Sequence, residues 1–99
     1  MLSKKYFKTK DEVEVTFEIE APDVDKVHLV CEGLGWDPVE MKRADRGKGP
    51  FRTRIRLPKD RQIQFRYLFD DHQWENDDAA DGYWPNEHGT DNSVVDTAA

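Results

Sequence analysis

The sequence predicts an all-β fold, an antiparallel sandwich of about seven short strands. Three observations carry that expectation. Separate runs alternate apolar and polar residues with the period of two that marks a half-buried strand. Gly, Pro, Asp and Asn gather between those runs, as turns require. No stretch repeats its apolar residues at the 3.6-residue period of a helix.

The first clear strand is Glu12–Glu20, with Val13, Val15, Phe17 and Ile19 on one face. Ala21-Pro-Asp-Val-Asp25 is a turn. Lys26–Glu32 is the second strand, expected to point Val27, Leu29 and Cys31 inward. Gly33-Leu-Gly-Trp-Asp-Pro38 is a glycine-punctuated loop, and Val39–Lys42 a short edge segment. Residues 44–50 read as a hairpin connection. Phe51–Leu57 alternates apolar with basic residues. Its Arg52, Arg54 and Arg56 are expected on a solvated face, paired across strands with Glu12, Glu14 and Glu18. Gln62–Asp70 places Ile63, Phe65, Tyr67 and Phe69 inward, and Asp71-His-Gln73 turns into Trp74. Residues 76–91 read as a long acidic loop, and Ser93–Asp96 as a closing strand. A connection that long hints at function. The first five residues and Thr97–Ala99 are expected to be loose ends.

With 99 residues the chain is one domain, 1–99, with its core at about 12–96. That is too small for a glycosidase barrel, which takes about 250 residues. A net charge of −6 argues against nucleic acid or an anionic membrane as partner. The single cysteine, Cys31, excludes an internal disulfide and reads as a small buried apolar residue. No secretory leader and no membrane span is discernible, so a reduced cytoplasmic location is expected. The starting Met favours a complete gene product over an excised domain.

Chemistry concentrates in residues 63–92. An aromatic strand carries Arg66 outward between two inward residues and turns sharply into Trp74, while Asn92 opens the last apolar run. A cation, an indole and an amide converging on one surface would suit a sugar. The pyranose C–H face stacks on the ring and the donors reach the hydroxyls.

The ordered series Lys26-Val-His-Leu29, Gly35-Trp-Asp-Pro38, Met41, Phe51, Leu57-Pro58, Phe65-Arg-Tyr-Leu-Phe-Asp70, Gln73-Trp74, Gly89-Thr90 and Asn92 resembles the isoamylase N-terminal, or early-set, glycogen-binding modules. These form carbohydrate-binding module family 48. The chain is similar to the glycogen-binding domain of the AMP-activated protein kinase β subunit and to the N-terminal domains of isoamylases and glycogen branching enzymes. The resemblance runs from about Val13 to Val95. It implies an immunoglobulin-like sandwich that binds α-glucan (glycogen, starch-type chains or maltooligosaccharide) without catalysis and needs no cofactor. It also implies that Trp36, Arg66, Trp74, Thr90 and Asn92 form the carbohydrate site, with Arg66 in place of the kinase module's lysine. His88 stands where that module has a leucine, behind Tyr83-Trp84-Pro85, and His88 and Trp84 are added as further candidates.

Each candidate has a plainer alternative. Trp74 reads equally as a core or edge tryptophan, Trp36 as a cap on the core, and Trp84 as a packing or self-association residue. Arg66 would serve as an ordinary solvated cation, and Asn92 as a turn residue. His28, His72 and His88 lack zinc spacing, and the acidic residues between 70 and 81 read as a solvated loop rather than a calcium site or a glycosidase pair. The competing function is a protein-interaction module of the same fold that has lost sugar binding, docking a glycogen-metabolising enzyme or a second copy. A bare family link to glycoside hydrolases, without activity, comes last.

Overall fold

The computed structural model describes residues 1–43 and 47–98. Among these lie ten strands, more than the seven expected: β1 Leu2–Tyr6, β2 Glu12–Ile19, β3 Val27–Cys31, β4 Val39–Glu40, β5 Lys42–Arg43, β6 Phe51–Pro58, β7 Gln62–Phe69, β8 Gln73–Glu75, β9 Gly82–Pro85 and β10 Asp91–Asp96. One sheet has the order β1-β2-β6-β5. The other runs β4-β3-β7-β10-β9, with β8 also pairing β7. Every pairing is antiparallel. The two sheets face each other as an immunoglobulin-like sandwich. Among the described residues no helix is long and apolar enough to cross a membrane.

Alternation dictates which side chains meet between the sheets, because successive Cβ atoms point to opposite faces. Val13, Val15 and Phe17 of β2 are buried against Val27, Leu29 and Cys31 of β3 and Phe65 and Tyr67 of β7. Phe17 and Phe65 meet edge to face with centroids 4.9 Å apart, and Phe65 meets Tyr67 likewise at 5.6 Å. Ile19 and Phe69, the last inward residues of their strands, are only partly covered. Burial pushes the Cys31 thiol pKa up, as expected of a buried thiol.

Five expectations change, the first at the C-terminal end: Thr97 is not loose but fully buried, its N–H donating to the Arg61 carbonyl at 2.8 Å and its hydroxyl to the Pro58 carbonyl at 2.6 Å. Residues 2–6 are not a loose end: β1 pairs with β2 from Leu2↔Phe17 to Tyr6↔Val13, so the folded unit begins before residue 12. Segment 76–91 is not a plain loop, because β9 pairs with β10 through Asn92↔Trp84 and Ser93↔Tyr83. Nor is it wholly solvated. Asp77 is buried at 1% exposure, accepting from the Tyr67 hydroxyl at 2.8 Å and from the Met1 ammonium at 2.6 Å. The Tyr83 hydroxyl donates to the Asp77 carbonyl, and the Asp77 N–H donates to Ser93 Oγ at 2.9 Å. The arginine ladder is paired only in part. Arg52 donates to Glu18 at 2.8 Å and Arg56 lies opposite Glu14, but Arg54 faces Thr16. Residues 44–46 of the expected hairpin connection lie outside the described residues.

Candidate functional site

β7 is central to the second sheet, so its outward residues form the middle of an exposed face. Ile63, Phe65 and Tyr67 point into the core, which leaves Gln64, Arg66 and Leu68 outside. Val30 of β3 lies directly opposite Arg66. Ser93 pairs with Phe65, so Asn92 comes beside Arg66 on the outward side. β10 accompanies β7 only as far as Phe65, and β8 takes its place farther along, with Trp74 opposite Leu68. One face therefore gathers Val30, Arg66, Trp74 and Asn92 from four strands.

Two backbone devices aim the indoles. Asp70 and Asp71 adopt φ of 50° and 63°, a pair of left-handed residues that folds β7 tightly back into β8. Asp70 locks that turn by accepting from the Asp25 and Lys26 N–H groups at 3.0 and 2.9 Å. Trp36 follows a single 3₁₀ turn at Glu32–Leu34, closed by Gly35 in the left-handed region. The Trp36 N–H donates to the Cys31 carbonyl at 3.0 Å, and Trp36 itself sits at φ 66°. Left-handed backbone is uncommon for a bulky side chain.

The result is an open groove of about 590 Å³. Trp36, Arg66, Trp74, Thr90, Asn92 and His88 all line it, together with Val30, Asn86 and Glu87. Trp36 is 43% exposed and Trp74 48%, so neither indole is a core residue. The Arg66 guanidinium lies 5.5 Å from the Trp74 ring centroid, within cation–π range. Arg66 Nε is buried and has no hydrogen-bond partner among the described residues. His88 and Glu87 occupy the exposed rim, with His88 Nε2 3.8 Å from Glu87 Oε1. Trp84 is not part of the groove lining: it lies on the same outer face, opposite Asn92, 38% exposed.

Asn86 is the residue that sequence reasoning missed. It sits at the start of the β9–β10 connection and makes most of that loop's polar contacts. Its Oδ1 accepts from the His88 and Thr90 N–H groups at 2.9 and 3.3 Å. Its Nδ2 donates to Thr90 Oγ1 at 2.8 Å and Asn92 Oδ1 at 3.1 Å. Asn92 in turn donates to Gln64 Oε1 at 3.0 Å. The available signal was an Asn shortly before Gly89, whose φ of 79° needs glycine, because Asn side chains habitually bond backbone two residues on. Among the described residues no group of three or more His, Cys, Asp or Glu is disposed to hold a metal ion.

The arrangement combines two exposed indoles with the hydrogen-bond donors of Arg66, Thr90 and Asn92 in one groove lining. No family model matches the sequence, and no curated protein matches it. Among solved structures the chain is similar to the ferric enterobactin esterase of Salmonella typhimurium, with a TM-score of 0.77 at 12% identity. The match covers 97% of this chain and 34% of the esterase, so the chain spans about a third of that protein's length. At such low identity the likeness establishes the fold and carries no chemistry.

Proposed function

We propose that the protein binds α-glucan without catalysis, as an early-set module of the glycogen-binding kind. The observation that carries this reading is the convergence of Trp36, Arg66, Trp74, Thr90 and Asn92, distant in sequence, on one open groove with both indoles exposed. Each indole would take the apolar C–H face of a glucose unit. Arg66, Thr90 and Asn92 would hydrogen-bond hydroxyls of neighbouring units. The planar guanidinium, steadied over Trp74, can address two adjacent oxygens where an ammonium acts as a point charge. A shallow groove implies weak binding, with a Kd on the order of micromolar to millimolar, or about 4–8 kcal/mol. A cytoplasmic setting fits a buried, unpaired cysteine and a neutral storage polysaccharide.

The test is a titration with maltoheptaose or β-cyclodextrin, followed by tryptophan fluorescence and amide chemical shifts. Saturable changes centred on Trp36, Trp74 and Arg66 are expected. A folded protein that gives no response at several millimolar sugar ends the proposal. Trp74→Ala is expected to lower affinity at least tenfold, the equivalent of about 1.4 kcal/mol. Unchanged binding by that variant would remove the assigned site while leaving the function.

A second reading rests on β9. It is an edge strand of its sheet and carries Tyr83 and Trp84, 44% and 38% exposed. Exposed aromatic residues beside an open sheet edge suit docking of an enzyme or a second copy. Concentration-dependent sedimentation abolished by Trp84→Ala would favour it.

A further inference from the structure

We infer that Asn86 sets the hydrogen-bond polarity of the groove, so that Thr90 and Asn92 join Arg66 in presenting donors, and the ligand is selected for oxygen acceptors. This rests on the glucan reading for the identity of the ligand, though not for the polarity itself.

Two groups at the loop have chemically fixed roles. A backbone N–H can only donate, so the two that meet the Asn86 amide, from His88 and Thr90, must face its oxygen. The Asn86 nitrogen then points the other way, and an amide nitrogen can only donate. Its two partners, Thr90 Oγ1 and Asn92 Oδ1, are therefore acceptors in these contacts. With one of its two lone pairs so engaged, the Thr90 hydroxyl is free to turn its own proton toward the groove. With its oxygen held against Asn86, Asn92 must direct its nitrogen toward Gln64 Oε1, and the second proton of that nitrogen is left over. Arg66 has donors only. The amide orientations of Asn86, Asn92 and Gln64 thus follow from two backbone N–H groups at the tip of the loop.

The consequence concerns specificity. Glucose hydroxyls and ring oxygens can accept, so a hydroxyl engaged here is read by its lone pairs and not by its proton. Replacing such a hydroxyl with fluorine, which accepts weakly and cannot donate, should then be better tolerated than replacing it with hydrogen. A groove that read hydroxyl protons would treat the two replacements alike.

Three measurements test this. In the free, ¹⁵N-labelled protein, the Asn92 side-chain amide protons are expected to show NOEs to the Gln64 γ-protons. NOEs to the Asn86 β-protons in their place overturn the relay without any sugar. Against the intact protein, deoxyfluoro maltooligosaccharides are expected to bind roughly two- to threefold more tightly than the matching deoxy compounds at the contacted hydroxyl, the weak end of one hydrogen bond's span. Equal affinities at every position overturn the proposal. Finally, Asn86→Asp keeps an acceptor for both backbone N–H groups but cannot donate, so Thr90 and Asn92 must give their protons to it. This variant is expected to keep its native amide spectrum, to bind maltoheptaose roughly three- to tenfold more weakly, and to lose the fluoro-over-deoxy preference. Wild-type affinity in Asn86→Asp refutes the relay. If the wild-type protein binds no maltoheptaose, the glucan reading falls, and the NOE pattern alone decides the polarity.

Discussion

Trp36 combines an exposed indole with a left-handed backbone at φ 66°. For an L-residue with a large side chain that conformation is unfavourable by about 1–2 kcal/mol, and such strain persists where the surroundings over-determine it. Here the overlapping bonds from Gly35 to the Glu32 carbonyl and from Trp36 to the Cys31 carbonyl hold it. Comparing two truncations separates strain from function. Trp36→Gly is expected to be more stable than Trp36→Ala by about 1 kcal/mol in denaturant unfolding, because only glycine is at ease there. Both should bind maltoheptaose about tenfold more weakly, since the ring is lost either way. Equal stability of the pair would mean that the turn relaxes on truncation. At this scale residue type was informative where one side chain stands out by itself: Trp36, Trp74 and Arg66 could be named from the chain, and all three line the groove. Asn86 could not, because its importance lies in four partners whose positions depend on the fold of the β9–β10 connection.

The elements divide along similar lines. β2, β6 and β7 are readable because each runs for eight residues with one face more covered than the other, and the alternation repeats often enough to be unambiguous. β1 and β9 are not. Neither Leu2-Ser-Lys-Lys-Tyr6 nor Gly82-Tyr-Trp-Pro85 buries a residue fully. Both are edge strands held by backbone pairing to a neighbour, and a backbone ladder leaves little trace in side-chain pattern. The β7–β8 turn is intermediate: two aspartates announce a turn, but not that both are left-handed. Their roles differ, and so should their substitution. Among the described residues Asp71 makes long contacts, at 3.9 Å to the exposed Lys26 ammonium, which contributes little, and at 3.7 Å to Nδ1 of the largely covered His28. Asp71→Gly is expected to stabilise the protein by about 0.5 kcal/mol through relief of the positive φ. Asp70→Gly is expected to destabilise by about 1 kcal/mol, since it strands the N–H groups of Asp25 and Lys26. Chemical denaturation of the two variants side by side checks the contrast. Asp71→Gly should still show the Trp74 response to sugar.

Across the whole molecule, the buried acid chemistry sets an alkaline limit to stability. Burial first, and then the charge of Asp77, hold the Tyr67 phenol far above its ordinary pKa. The unfolded chain ionises that phenol near pH 10. Above that point the unfolded state releases a proton that the folded state keeps, so stability falls as pH rises. Cys31, raised chiefly by burial, contributes with the same sign from about pH 8.5. Each group can add a slope of up to about 1.4 kcal/mol per pH unit. Tyr67→Phe is expected to be less stable at pH 7 by roughly 1.5–3 kcal/mol, having lost a hydrogen bond to a carboxylate. It should also lose stability less steeply between pH 10 and 11. Urea midpoints measured from pH 7 to 11 check both parts. An unchanged alkaline slope would mean that Tyr67 titrates freely in the folded state.

The anchor of that network, Asp77, shows where sequence reasoning stops. In the chain it stands among Asp78, Asp81 and other polar residues and looks solvated. In the fold it is buried beneath β9 and β10, against a tyrosine from β7 and the amino group of Met1. The two-layer architecture, the inward face of each long strand and the outward Arg66 and indole candidates all follow from local order, because a period of two and a planar ring are properties of short segments. Which acidic residue is buried, which edge strands close the sheets and which way the amides in the groove point depend on contacts between segments far apart in the chain. Those contacts arise only when the sheets pack, and the hydrogen-bonding demand of each buried polar group then selects its partner.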